Sequence, residues 1–128
     1  MSRLKIVNIA PALPPTLDGI GDYSARLCAQ LAEFADTTIL APTGPVPDAI
    51  FGVAIEQVFD AHRRRSVAGI GDAIRRLAPD WALLQFNQFS YGQVKVTSKQ
   101  LTITPKDISG TPQTDNGHSC QVTLNYVQ

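Results

Sequence analysis

The beginning of the chain has the pattern of a β-strand that leads through a loop into an α-helix, and this order restricts the fold more than any other feature. The strand-like run is LKIVNI, residues 4–9, and the helical stretch DGIGDYSARLCAQL occupies residues 18–31. A glycine-bearing loop between a strand and a helix directs backbone N–H groups toward one point, where the helix dipole adds partial positive charge. Such points bind phosphates and other anions.

The remainder of the first 92 residues continues the alternation of strands and helices. Apolar residues recur at helical spacing over residues 19–34 and predict a helix with one inward face. The residues of this face are Ile20, Tyr23, Leu27, Leu31 and Phe34. A second helix is predicted over residues 61–77 and ends at Pro79 and Asp80. Its inward residues are Val67, Ile70, Ile74 and Leu77.

Three further apolar or β-branched runs predict strands, at residues 37–41, 53–58 and 81–86. The run at 53–58 resembles an edge strand. The run at 81–86 (WALLQF) is almost continuously apolar, which is typical of a strand buried on both faces. Strands that alternate with helices favour an α/β fold, here a partial Rossmann-like parallel sheet with flanking helices.

Composition changes at about residue 92. Residues 1–92 contain 14 Ala and 7 Arg, whereas residues 93–128 contain neither. The later residues alternate between apolar and polar in the manner of strands, with turn signals at 107–110 and 115–117. The candidate strands there are residues 94–97, 101–104 and 121–127. We therefore predict an α/β segment over 1–92 and a β-rich tail over 93–128 that forms a hairpin or meander.

Composition and charge narrow the classes of partner. The 128 residues suffice for one domain with a modest core, and the formal net charge of zero gives no reason to expect a nucleic acid partner. No apolar run approaches the roughly 20 residues of a membrane span, and the N-terminus lacks a signal peptide's apolar segment. We expect a cytoplasmic protein, with peripheral membrane attachment left open. Cys28 and Cys120 do not make a disulfide framework, and no metal site or cofactor is predicted.

The loop at the start of the first helix is the first candidate ligand site. Gly19 and Gly21 would allow an anion to approach the backbone, together with Ile20, and Asp22 would contact a hydroxyl or cap the helix. The alternative is a simple turn with glycines for packing and Asp18 as the cap. The glycine spacing does not match a dinucleotide fingerprint, and the GK[ST] element of a Walker loop is missing.

The end of the fourth strand is the second candidate. Amides and aromatic residues follow one another in QFNQFSYG, residues 85–92. The amides of Gln85 and Asn87 can each donate and accept hydrogen bonds, as sugar hydroxyls require. The alternative is a polar strand end whose aromatic rings pack under a loop. The basic run of residues 63–65 with 75–76 is typical of a solvated helix face, and contact with anionic lipid is its other reading.

Together these two segments carry a family resemblance. Residues 4–92 resemble the first half of the N-terminal domain of a GT-B glycosyltransferase of the family 4 type. In that family a loop often written GGIADY precedes a helix like ARLAEAL, and here DGIGDY precedes ARLCAQL. Family members often carry a proline and an aspartate before a strand that ends in Gln, which is similar to PDWALLQF at residues 79–86.

The resemblance implies sugar transfer from a nucleotide-sugar donor to an acceptor. It also implies that the glycine loop faces the donor phosphates and that Gln85 and Asn87 contact acceptor hydroxyls. The family's donor-binding domain has no counterpart here, so we expect a truncated or fused fragment that is inactive alone and contributes no catalytic residue. Two alternatives are a non-enzymatic interaction module that self-associates through a sheet edge, and an unstable product of a joined gene.

Overall fold

The computed structural model describes residues 3–47, 49–60, 62–85, 93–96, 100–104, 111–112, 114–115, 118–119 and 121–125. In chain order the first part contains β1 (Leu4–Ile9), α1 (Gly19–Leu31), β2 (Ala35–Pro42), β3 (Val53–Phe59), a 3-10 helix (Arg64–Val67), α2 (Ala68–Leu77) and β4 (Trp81–Leu84). The tail contains β5 (Gln93–Val96), β6 (Gln100–Thr104), β7 (Thr114–Asp115), β8 (His118–Ser119) and β9 (Val122–Asn125).

The first four strands form one parallel sheet in the order β3-β2-β1-β4. This arrangement confirms the predicted α/β fold with a partial Rossmann-like sheet. The chain adds β2 and β3 on one side of β1 and then crosses to the other side for β4. The strand order therefore reverses between β1 and β4, and the carboxyl ends of these two strands flank a topological switch point.

Asp80 fixes the start of β4 against β1. Its carboxylate oxygen Oδ2 accepts a hydrogen bond from the backbone N–H of Lys5 at 2.8 Å, and its own N–H donates to the Lys5 carbonyl oxygen at 2.9 Å. The Pro-Asp pair before β4 is therefore a structural clamp that sets the register Ile6 opposite Trp81.

Two apolar clusters cover the two faces of the parallel sheet. On one face, α2 packs against Val7, Ile9, Leu40 and Phe59. On the other face, Cys28 of α1 lies in a cluster with Ala10, Leu13, Ile39 and Ala41. A parallel sheet needs helices on both faces because its central strands are apolar on both sides.

The face that α1 turns toward the sheet differs from the predicted one. Gly21, Ser24 and Cys28 are the buried residues of α1, whereas Tyr23 and Phe34 remain 56% and 59% exposed. Small residues at the contact let the helix axis approach the sheet. Because the helix lies so close, its larger apolar residues lie at its sides and not between the helix and the sheet. The prediction of Tyr23 and Phe34 as inward residues was therefore wrong.

The predicted end of α1 at residue 34 was also wrong. The N–H groups of Glu33 and Phe34 donate to the carbonyl oxygens of Gln30 and Leu31, three residues earlier. These shorter bonds tighten the chain into a turn, so the helix ends at Leu31 and β2 begins at Ala35.

The predicted burial of the fourth strand on both faces was wrong as well. β4 lies at an edge of the sheet, with Trp81 63% exposed and Ala82 also exposed. Leu83 and Leu84 are only half-buried. A run of apolar residues cannot by itself distinguish a central strand from an edge strand, because the neighbour that would cover it is not encoded in the run.

The second helix starts later than predicted because a bridge between Asp60 and Arg63 and the 3-10 helix Arg64–Val67 precede it. The Asp60 carboxylate accepts a hydrogen bond from the His62 N–H, and the Ser66 hydroxyl accepts one from the Asp60 N–H. These side chains compete with helical hydrogen bonds. From Val67 onward the prediction holds, since Val67, Ile70 and Ile74 are buried and Leu77 packs against the same cluster.

The tail forms a three-stranded antiparallel sheet, β5-β6-β9, and a two-stranded pair, β7-β8, which confirms the predicted hairpin or meander. Ile103 and Val122 of the tail are buried in the same apolar cluster as α2. Gly71 of α2 makes this contact possible, because a Cβ there would lie 2.7 Å from Cγ1 of Val122. The predicted turn at 107–110 lies outside the described residues.

Ala78 at the end of α2 is a position where a substitution should stabilise the fold. It has φ 45° and ψ 58°, the left-handed conformation that glycine adopts without a steric penalty. We expect Ala78→Gly to raise the free energy of unfolding by roughly 0.5–1 kcal/mol in urea denaturation. Ala32 at the end of α1 is the matched control, since its φ of −62° is right-handed and glycine should lower stability there.

Candidate functional site

Functional side chains of an open parallel sheet are expected at the carboxyl ends of its strands, outside the switch point. Here that edge receives the loop between β1 and α1 and the residue that follows β4, which is Gln85. The backbone N–H of Gln85 donates to the Ile9 carbonyl oxygen at 2.9 Å and extends the pairing of the two strands by one residue. The loop and Gln85 therefore lie at the same edge of the sheet, whereas residues 86–92 of the second candidate segment lie outside the described residues.

A small polar cluster lies between β1, α1 and the end of β4. The side-chain Nε2 of Gln85 donates a hydrogen bond to Oδ1 of Asn8 at 3.1 Å. Asn8 is fully buried beside the Cys28 thiol, and Ser24 of α1 is also fully buried. Among the described residues, Nδ2 of Asn8 and Oγ of Ser24 have no oxygen or nitrogen partner within hydrogen-bond distance. Unpaired buried polar atoms are rare in folded proteins and mark places where a water or ligand atom completes the site.

The cluster also changes the chemistry of Cys28, which is a free and fully buried thiol. Burial raises the pKa of Cys28 from 9.0 to about 11, and the neighbouring Asn8 side chain opposes this rise weakly. A thiol with a raised pKa is a poor nucleophile near neutral pH because the thiolate is the reactive form. Cys28 therefore contributes packing rather than covalent chemistry.

Asp18 occupies part of the anion-binding position at the start of α1. Its carboxylate oxygen Oδ1 accepts a hydrogen bond from the Gly21 N–H at 2.9 Å. Among the described residues, the N–H groups of Gly19 and Ile20 donate to no acceptor. The end of the helix is thus partly capped, and the negative charge of Asp18 works against a phosphate there.

The two glycines of the loop have different surroundings. Gly19 is exposed, and a Cβ added to it would meet nothing within 4 Å. A Cβ on Gly21 would lie 2.8 Å from the Ala12 carbonyl oxygen, so this glycine is required for packing of α1 on the preceding loop. Ile20 is half-buried and Asp22 is exposed. Gly19 therefore remains the more suitable position for a ligand approaching the backbone.

The structure places Gln85 beside β1, whereas Asn87 lies outside the described residues. The sequence reasoning missed Asn8, which holds the Gln85 amide, and the buried Ser24 of α1. One signal could have revealed Asn8: it is a polar residue between Val7 and Ile9 in an otherwise apolar end of a central strand. Ser24 carries no comparable signal, because small residues are common on helices.

A cavity of about 180 Å³ lies at the same edge between the loops that follow β1 and β2. Its walls include Pro11, Leu13, Thr16, Pro42 and His62. A second cavity of about 360 Å³ lies alongside β3 and shares Val46 with the first. Both are lined mainly by apolar side chains.

The basic residues of α2 are engaged at the protein surface. Arg76 pairs with Glu56 at 2.8 Å, and Arg75 pairs with Asp72 at 3.3 Å. Within the part of the chain that the structure describes, no group of three or more His, Cys, Asp or Glu side chains could hold a metal ion. In those same residues, no helix combines the length and the apolar character required to cross a lipid bilayer.

Comparison with known proteins adds no relative: no protein-family model, no curated protein and no solved structure matches the chain.

The raised pKa of Cys28 predicts a loss of stability in alkaline solution. The unfolded thiol ionises near 9.0, whereas the folded thiol stays protonated up to about 11. The folded state therefore binds more protons between these values, and the free energy of unfolding falls as pH rises through them, by an amount of the order of 2 kcal/mol. Urea denaturation at several pH values measures this fall.

The matched variant is Cys28→Ala. The reference protein and this variant both carry Cys120→Ser, so that Cys28 is the thiol whose ionisation is compared. Cys28→Ala should lower stability at every pH by loss of packing, yet show a shallower decline between pH 9 and pH 11. Equal slopes for the two proteins would show that Cys28 titrates normally.

Proposed function

We propose that residues 1–92 form one wall of a site for sugar transfer from a nucleotide-sugar donor to an acceptor. The observation that supports this proposal most is the hydrogen bond between Asn8 and Gln85 at the switch point. It holds a neutral amide at the edge where open α/β sheets bind their ligands, next to the loop that begins α1. The resemblance of the DGIGDY and PDWALLQF segments to family 4 glycosyltransferases supports the same function.

Each candidate residue has a distinct role in this proposal. The free N–H groups of Gly19 and Ile20 face the donor phosphate, and Gly21 maintains the close packing of the loop that presents them. Asp22 contacts a hydroxyl, and Gln85 and Asn87 contact the acceptor. Turnover in the family that the chain resembles needs a second lobe that closes over the donor, so the proposal for residues 1–92 concerns binding and not turnover.

Isothermal titration calorimetry against UDP-glucose, GDP-mannose, UDP and GDP tests this proposal. We expect binding of at least one nucleotide sugar at millimolar concentration, and weaker binding by Gly19→Ala because a methyl group would obstruct the backbone. The same substitution should leave thermal stability unchanged or slightly higher, since alanine favours a helix over glycine. Weak binding with intact folding distinguishes a ligand role from a packing role.

Asp18→Asn provides a second comparison because it keeps the cap and removes the negative charge. It should strengthen binding of the anionic ligands. The proposal fails if the wild-type protein gives no heat of binding with any of the four ligands.

A second candidate function is self-association through the edge strand β4. Trp81 and Ala82 are exposed, and β4 pairs with β1 on one side alone among the described residues. Because the Gln85 N–H points to β1, the alternation of a parallel strand directs the Ala82 N–H toward the free edge. An unpaired edge with exposed apolar residues is a template for pairing with another chain.

Light scattering coupled to size-exclusion chromatography tests this second function. We expect a dimer of the wild-type protein and a monomer of Ala82→Pro, which removes the outward N–H donor. Ala82→Ser keeps that donor and should remain dimeric. A wild-type protein that stays monomeric at concentrations of several hundred micromolar would exclude the edge as an interface.

A further inference from the structure

Gln85 is held at two points, and this sets its amide in one orientation. Its backbone N–H is fixed by the Ile9 carbonyl oxygen, and its side-chain Nε2 donates to Oδ1 of Asn8 at 3.1 Å. Asn8 lies in the central strand and is fully buried. Its position is therefore set by the sheet itself, and a rigid strand orients a partner more accurately than a loop does.

The two ends of the Gln85 amide consequently have different tasks. Nε2 is occupied by Asn8, whereas Oε1 makes no hydrogen bond to any of the described residues. Gln85 is half-buried, so a ligand at the switch point can reach it, but Asn8 is too deep for direct contact. With one Nε2 hydrogen held by Asn8, Oε1 is directed away from Asn8 as an acceptor, and the second Nε2 hydrogen remains a donor.

We infer that Asn8 is a positioning residue that orients the Gln85 amide so that Oε1 accepts a hydrogen bond from a ligand hydroxyl. This inference rests on the proposed function and specifies the chemistry that its site recognises at this point. A hydroxyl or an amine can donate to Oε1. A carboxylate or the fully ionised diphosphate of a nucleotide sugar has acceptor oxygens alone and cannot donate to Oε1. Oε1 of Gln85 therefore pairs with sugar hydroxyls rather than with these oxygens.

Nuclear magnetic resonance of the ¹⁵N-labelled protein tests the orientation without any ligand. The side-chain NH₂ of Gln85, assigned through Gln85→Glu, should exchange slowly with water in the wild-type protein. Asn8→Leu keeps the volume of the side chain and removes the acceptor, so exchange should become about tenfold faster. Ser24→Ala removes another fully buried polar group, one that makes no hydrogen bond to Gln85 among the described residues, and should leave this exchange unchanged.

The ligand arm uses methyl α-glucoside, a probe with hydroxyls and no phosphate, titrated to high millimolar concentration. Its binding should shift the Gln85 resonances in the wild-type protein and in Ser24→Ala, and Asn8→Leu should weaken the affinity at least about fivefold.

The outcomes separate the inference from the proposed function. Unchanged Gln85 exchange in folded Asn8→Leu overturns the positioning role, as does equal glucoside affinity in the two proteins. A third outcome is faster Gln85 exchange in Asn8→Leu together with no glucoside binding by the wild-type protein. This outcome supports the positioning role and rejects the sugar site. A purely structural Asn8 would change the melting temperature but not the ratio of glucoside affinities between folded variants.

Discussion

The central position of β1 is the constraint on which the rest of the structure depends. Its backbone pairs with β2 on one side and β4 on the other, and its side chains Val7 and Ile9 lie in the apolar cluster that α2 covers. Parallel strands require crossover connections, so this arrangement brings α1 and α2 onto the sheet. It also brings the end of β4 beside the end of β1, where the polar cluster lies.

Close packing explains features that the sequence presents as ligand signals. Gly21 belongs to a loop whose glycines suggest an anion site, yet its lack of a Cβ is required by the carbonyl oxygen of Ala12. Asp18 caps the helix that it precedes, and Asp80 clamps β4 to β1. The same residue types therefore have a structural role at some positions and remain available for binding at others. Gly19 and Gln85 are the positions that remain available.

Prediction from the sequence succeeded where the evidence is local. β1 was predicted with its observed bounds, and the inward face of α2 follows from the spacing of Val67, Ile70 and Ile74. It failed where burial depends on a neighbour distant in the chain. The exposure of Tyr23 depends on how closely α1 approaches the sheet, and the exposure of Trp81 depends on the edge position of β4. The candidate site was predicted in part, since Gln85 was identified but its partner Asn8 was not.

The sequence by itself determined the alternation of strands and helices, the parallel α/β class and the β-rich character of the tail, because hydrophobic periodicity and turn residues act over a few positions. The tertiary structure alone decided the strand order, the rotation of α1 and the packing of Ile103 and Val122 against α2. The tertiary structure alone also decided that Asn8 contacts Gln85, which lies 77 positions further along the chain. Contacts of this kind depend on the pairing of distant strands, which no local pattern of residues specifies.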